Sequence, residues 1–345
     1  MKEIQRRGNV SRPAAFEGIE LFEKTFSEQI QKTGEIAELK YLFTKKFGDG
    51  EDEWPVEADR YRIIWMPGCP HASKVVITWK LLGLDKVISL GTTGVIRSQE
   101  GWVFDEDPGG LDPVLKVRCL HDIYLRSYPD YKGRSTVPTI VDTKTGLAAN
   151  NDHVYMPKYL CCAWKKFHKE GAPDLYPEEL RSKIDELNFW LWRRINFGVY
   201  EAGFARSKEI YEKGCVRFFE ALDILEKRLA DRRFLMGDFI TLPDIYLYVT
   251  LARFQMNYYQ VFRVNKKRLE DYENLWPYAR DLYAVDEFAE FTLFDKIKQC
   301  YQLSPHLRAL FGNVEGIYAK GPDLGGWRKP QERGKLSSHE SKFLI

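Results

Sequence analysis

The chain has no Cys-x-x-Cys pair: its six cysteines stand at positions 69, 119, 161, 162, 215 and 300. That spacing excludes a dithiol exchanger of this type and the common structural zinc sites. The six histidines, at 71, 121, 153, 168, 306 and 339, form no His-x-x-x-His pattern, so no metal site is expected. Nowhere do about 18 consecutive apolar residues occur, which argues against a membrane span. Met1-Lys2-Glu3-Ile4-Gln5-Arg6-Arg7 is charged where a signal peptide is apolar. Neither sign of charge dominates: 52 Lys plus Arg face 50 Asp plus Glu, leaving no electrostatic footprint for nucleic acid. No internal repeat is visible. These absences point to a soluble, cytoplasmic protein with reduced thiols.

What the chain does have is length and aromatic residues. Its 345 residues allow two domains, and 9 Trp, 19 Tyr and 21 Phe suit either a large helical core or a site for flat ligands. The chain is organised around residues 60–84. Tyr61 to Met66 is a β-branched and aromatic run ended by Pro67-Gly68, which predicts a buried strand and a turn. Ala72, Val75, Val76, Trp79, Leu81 and Leu82 then recur at helical spacing, with Gly83 as the expected C-cap. Cys69 thus falls at a helix N-terminus, where unpaired amides and the macrodipole favour a thiolate. Pro70 fits the first turn, and Lys74 adds positive charge one turn on. A reactive thiol of lowered pKa is the reading preferred over an inert capping cysteine. With Ala72 where a second cysteine would stand, Cys69 is expected to act as a single thiol, forming a mixed disulfide that an external thiol resolves.

The flanking segments read in order. Residues 1–58 look like an extended lead-in with one short helix around Phe22 to Ile30 and an acidic loop at Asp49 to Glu53. Val87 to Gly91 predicts a second strand, parallel to the first through the helical crossover. Leu115 to Leu125 shows helical spacing. Val137-Pro138 precedes a β-branched run, placing a proline, and a candidate cis bond, at the start of a strand. Thr143 to Gly146 predicts a hairpin turn into Leu147-Ala148-Ala149, and Asn150 to His153 caps a helix beginning near Val154. That helix N-terminus can hold an anionic group, although plain capping is equally in keeping with the stretch. This order is that of a thioredoxin-like domain ending near residue 165. From Tyr176 the pattern changes to long helices over 180–200, 209–229 and 242–259, with a capping box at Thr241 to Asp244, and a later helix over Phe294 to Tyr301. Residues 319–341, rich in Gly, Pro, Lys and Glu, are expected to be an extended or mobile tail.

Several motifs in order then carry a family resemblance. Cys69-Pro70-His71-Ala72-Ser73-Lys74, Gly101-Trp102-Val103-Phe104, Gly133-Arg134-Ser135-Thr136-Val137-Pro138 and Asn196 to Ala205 recur at the expected spacing, followed by Arg253-Phe254, Tyr258, Phe262, Asn265 and Asp281-Leu282-Tyr283. From about residue 58 to 323 the chain resembles the glutathionyl-hydroquinone reductases, also called Xi-class glutathione transferases. The resemblance implies an α/β thioredoxin-like N-terminal domain (59–165) after an extension (1–58), an all-α glutathione transferase C-terminal domain (176–318), a tail (319–345), and a homodimer. It implies Cys69 as nucleophile on the sulfur of a glutathionyl-hydroquinone, with glutathione as co-substrate and no metal. It also implies that Trp102 packs on the tripeptide, Arg134 pairs with a carboxylate, the Val137 backbone binds the cysteinyl amide, and Ser135 adds a polar contact. Tyr200 and Tyr301 would face the quinol. Asp152 and His153 stand where the family has a Glu-Ser pair for the γ-glutamyl group, His71 and Lys74 replace a Trp and an Arg, and Gln255 replaces an Asp.

Three alternatives stay open on the sequence. The same thiol can serve reductive dehalogenation or ether cleavage on an aromatic substrate. The altered γ-glutamyl positions allow another low-molecular-weight thiol. The scaffold can also have lost catalysis and become a binding module.

Overall fold

The computed structural model describes Phe26, residues 29–305, Leu307, Ile317 and residues 319–345. Most of the helix expected over Phe22 to Ile30 lies outside the described residues. Strand β1 (Tyr61–Trp65), helix α1 (Pro70–Leu81) and strand β2 (Ile88–Thr92) form the crossover unit, with β1 and β2 parallel from Tyr61 opposite Ile88 to Trp65 opposite Thr92. Helix α2 (Leu120–Ser127) leads to β3 (Thr139–Asp142) and β4 (Leu147–Asn150), an antiparallel hairpin. β3 runs antiparallel to β1, giving the sheet order β2-β1-β3-β4. The Val137-Pro138 peptide is cis.

A short helix α3 (Met156–Cys162) closes this half of the chain. The helical half comprises α4 (Arg181–Leu191), α5 (Gly198–Gly203), α6 (Lys208–Arg228), α7 (Leu242–Arg253), α8 (Leu275–Tyr283), α9 (Asp286–Glu290) and α10 (Phe294–Leu303). The architecture is a thioredoxin-like layer beside an all-α domain. α1 lies between the sheet and α7, which is why ten of its residues are buried rather than a single stripe. Gly83 adopts φ 72° after α1, the left-handed conformation that a glycine accepts without strain. The Thr241 capping box forms, with the Thr241 amide donating to Asp244 Oδ2 at 2.9 Å.

Several expectations are corrected. α2 starts at Leu120, not Leu115, because Asp112 Oδ1 accepts from the amides of Val114 and Leu115 and fixes a turn there, while its other oxygen pairs with Arg62. The helices expected over 180–200 and 242–259 are each interrupted by a π turn, Trp192–Asn196 and Phe254–Tyr258. The helix after Asn150 to His153 begins at Met156, while Asp152 Oδ1 accepts from the Val154 amide at 3.0 Å in the turn before it. The tail is docked, not extended: Trp327 packs on Trp276, Tyr283 and Phe294, Arg333 donates to the carbonyls of Leu229, Arg232 and Arg233, and Lys342 pairs with Asp281. Aromatic and guanidinium groups anchor this stretch although its overall composition is polar.

Candidate functional site

The site grows out of the turn between β1 and α1. Cys69 is the N-cap of α1, with Pro70 in the first helical turn; the Cys69 amide donates to the Met66 carbonyl at 2.9 Å. Its side chain is half-buried, and Sγ lies 3.6 Å from the Val137 carbonyl. From the helical half, Arg253 reaches across to this turn. Its Nε donates to the Gly68 carbonyl at 2.9 Å, and its Nη2 to Ser73 Oγ at 2.7 Å and to the Pro67 carbonyl at 3.3 Å. A buried guanidinium thus ties the Cys69 turn to α7.

Cys69 opens into a cavity of about 970 Å³, counting the space at its mouth. The sheet side supplies His71, Trp102, Arg134, Ser135, Val137 and His153. The helical side supplies Trp192, Phe197, Tyr200, Phe204, Cys300 and Tyr301. The segment before β1 closes a third side with Phe26, Gln29, Ile36, Leu39 and Tyr41. Of the nine residues singled out in the sequence, eight line this one space; Asp152 does not.

The phenols form a cluster. Tyr200 and Tyr301 hydroxyls are 2.5 Å apart, and Tyr258, which the sequence reading did not assign to the site, completes the group at 3.2 Å from Tyr301. Burial raises all three phenols above their ordinary range, so each keeps its proton. Both π turns feed this region: one carries Trp192 and the other Tyr258.

Charge in the cavity departs from the sequence reading. The backbone amides of Ala72 and His71 and the Arg253 guanidinium favour a Cys69 thiolate, yet burial outweighs them and pushes the thiol up. The low thiol pKa expected from the helix N-terminus is therefore not found. Lys74 does not reach out as a free cation. It is buried, its Nζ sits 4.0 Å over the Tyr246 ring without a hydrogen-bond partner among the described residues, and desolvation brings it down to about 7.

His153 and His71 stack in parallel, with ring centroids 4.1 Å apart, and His153 Nε2 is 2.6 Å from the Tyr41 hydroxyl. Burial holds both imidazoles well below their ordinary pKa, so both are neutral at pH 7. Arg134 stacks over Phe26 at 4.6 Å and its Nη2 donates to Gln29 Oε1 at 2.7 Å. Arg97, also missed, is buried with its guanidinium 5.2 Å from the Trp102 ring, where desolvation lowers it to about 9. Tyr41 and Cys300 carry no local sequence signal, since each reaches the cavity from a distant part of the chain. Among the described residues no cluster can hold a metal, and no helix is long and apolar enough to cross a membrane.

An acceptor-lined thiol, phenol donors on the facing wall and a guanidinium nearby can cleave a bond to sulfur and protonate the leaving group. Residues 208–281 match the family model described as the glutathione S-transferase C-terminal domain. The chain is 37% identical over 268 residues to the glutathionyl-hydroquinone reductase YqjG of Escherichia coli, covering 77% of this chain and 80% of that one. It is 35% identical to the reductase PcpF of Sphingobium chlorophenolicum, over 64% and 70% of the two chains. Among solved structures, a glutathione transferase from Gordonia bronchialis superposes with a TM-score of 0.81 at 41% identity, covering 86% of this chain and 91% of that one. Glutathione-bound YqjG does so with a TM-score of 0.77 at 34% identity, over 84% and 96%.

Proposed function

The chain belongs to the glutathionyl-hydroquinone reductase, or Xi-class glutathione transferase, family of enzymes, and from that premise we propose that it removes glutathione from glutathionyl-hydroquinones through a mixed disulfide on Cys69. The observation that carries this reading is that the Cys69 thiol and the Tyr200 and Tyr301 phenols line one cavity. The Cys69 thiolate attacks the glutathione sulfur of the conjugate. The sulfur–aryl bond breaks, its electron pair goes to the ring carbon, and a phenol of the Tyr200–Tyr301 pair delivers the proton. A sulfur–sulfur bond forms in its place. A second glutathione attacks this mixed disulfide, leaving glutathione disulfide and a free Cys69. Burial raises the Cys69 thiol, so the attacking thiolate is the minor form. Arg253 and the amides of His71 and Ala72 are the groups that stabilise it.

In this reading Trp102 packs on the tripeptide, Arg134 exchanges Gln29 for a substrate carboxylate, the Val137 backbone pairs with the cysteinyl amide, and Ser135 adds a polar contact. His153 faces the amino-acid end, with Asp152 beside it outside the cavity lining. We read the chain as an extension to residue 58, a thioredoxin-like domain over 59–165, a helical domain over 176–318 and a tail over 319–345, acting as a homodimer in the cytoplasm. Six free cysteines are in keeping with a reducing compartment.

A second reading, a different low-molecular-weight thiol, is favoured by one observation. His153 is stacked and hydrogen-bonded in place, so that the amino-acid end meets a neutral ring. Incubation with glutathionyl-hydroquinone and glutathione tests the proposal. Hydroquinone and glutathione disulfide in equal amounts are expected. Hydroquinone formed only when another thiol replaces glutathione would favour the second reading, and none with any thiol would sink both.

A further inference from the structure

The cavity contains a second thiol. Cys300 stands one residue before Tyr301 on α10, lines the same space as Cys69, and is 6% exposed. Gly68 is what admits it: a Cβ built on Gly68 would lie 2.5 Å from the Cys300 Cβ and 2.8 Å from its Sγ. The Cys300 Cβ is therefore within about 4 Å of the Gly68 Cα, and Cys69 follows one peptide step, about 3.8 Å, along the chain. The mechanism above leaves this sulfur without a role.

We propose that Cys300 is a resolving thiol: once Cys69 carries the glutathionyl group, the Cys300 sulfur attacks Cys69 Sγ, closing a Cys69–Cys300 disulfide and expelling glutathione. This rests on the reading of Cys69 as the nucleophile and replaces the direct attack of a second glutathione on the mixed disulfide. In this step one sulfur–sulfur bond breaks and another forms, and the Cys300 proton ends on the departing glutathione sulfur. Over both steps two protein thiols lose two electrons, the aryl–sulfur bond becomes an aryl–hydrogen bond, and glutathione leaves as a thiol. Two molecules of glutathione, or one dithiol, then reduce the protein disulfide.

The arrangement suits that division of labour. Burial pushes the Cys300 thiol up to about 12, so at rest it stays protonated and does not compete for the conjugate. Its low thiolate fraction is offset by proximity, since an intramolecular attack avoids the entropy of bringing in a second thiol. A disulfide needs Cα atoms about 4.4–6.8 Å apart. Cys69 Sγ is turned toward the Val137 carbonyl, so closing the bridge requires rotation of that side chain toward α10. An enzyme that resolves its own adduct releases the first glutathione without binding a second.

The test is a single turnover. Full-length enzyme in excess is mixed with a glutathionyl-hydroquinone in the absence of free thiol, quenched in acid, and mapped as non-reduced peptides. Wild type is expected to release one hydroquinone and one glutathione per conjugate consumed and to yield a Cys69–Cys300 cross-linked peptide. Cys300→Ala is expected to release hydroquinone but no glutathione, which stays on Cys69; Cys300→Ser, closer in volume, should do the same. Hydroquinone release by wild type with glutathione retained on Cys69 and Cys300 still a free thiol would overturn the inference while leaving the Cys69 chemistry intact. No hydroquinone release from wild type would overturn both.

Discussion

The two walls of the cavity are built in different ways. The sheet-side wall is assembled from the β1–α1 turn and the segment before β3, and what it offers Cys69 is largely backbone: the Val137 carbonyl and the amides of His71 and Ala72. The helical wall offers side chains, the Tyr200, Tyr258 and Tyr301 phenols, gathered from positions far apart in the chain and held by burial. Backbone groups at a helix start are positioned as soon as the helix forms. Phenols on three separate elements are positioned only when the helical domain packs. Cys69 thus depends on local structure and the phenols on tertiary structure, and Arg253 is the side chain that joins the two.

The strongest way to break that comparison is to cut the joint. Arg253→Ala removes bonds to Pro67, Gly68, Ser73 and Val249 in a buried setting, so a loss of about 3 kcal/mol or more in denaturant unfolding is expected, together with loss of turnover. Unchanged stability would mean that the walls hold their positions independently.

Tyr301→Phe tests the helical wall alone. Hydroquinone release should slow on the order of 10²-fold in single-turnover kinetics, the scale of a lost proton donor. Thermal stability should fall only slightly. An equal loss of stability would make the phenol cluster a packing feature.

Gly68→Ala tests the close approach of the walls. Its Cβ would collide with Cys300, and overpacking of this kind costs about 1–3 kcal/mol. Adding Cys300→Gly should restore much of that loss in a double-mutant cycle, because the colliding atoms are then absent.

A pH-dependent effect is expected at Lys74. Its folded pKa, about 7, lies below the ordinary 10.5, so between these values the unfolded chain binds the extra proton and stability rises with pH. Below about pH 7 the whole cost of the buried cation is present. Lys74→Met should therefore raise the melting temperature most in that range, with the gain shrinking toward pH 10.5 and partly offset because Asp152 loses its neighbour. A gain independent of pH would show that Lys74 titrates normally.

The sheet-side wall was legible in the sequence because its determinants are contiguous. A β-branched run, Pro67-Gly68 and a helical stripe define the β1–Cys69–α1 unit within two dozen residues, and Val137-Pro138 marks its partner. The helical wall was legible only in part. Apolar spacing located α4, α6 and α7, but the π turns at 192–196 and 254–258 leave a 3.6-residue pattern nearly unchanged while rotating the residues beyond them about the helix axis. Tyr258 therefore stood in the sequence as a motif residue without a place in the site. Leu115 and Val117 have helical spacing but are buried in a turn set by Asp112. The docked tail was missed because a few anchors, Trp327 and Arg333, override a polar composition. The direction of the Cys69 pKa was missed for a related reason: helix geometry is local, whereas the burial that outweighs it comes from the rest of the fold.

The most direct measurement of the central claim is hydroquinone release by Cys69→Ser enzyme, mixed in excess with a glutathionyl-hydroquinone and followed beside wild type. Wild type should release one hydroquinone per conjugate in a single exponential, and Cys69→Ser none above the uncatalysed rate. Equal release by the two proteins would contradict the assignment of the chemistry to that sulfur.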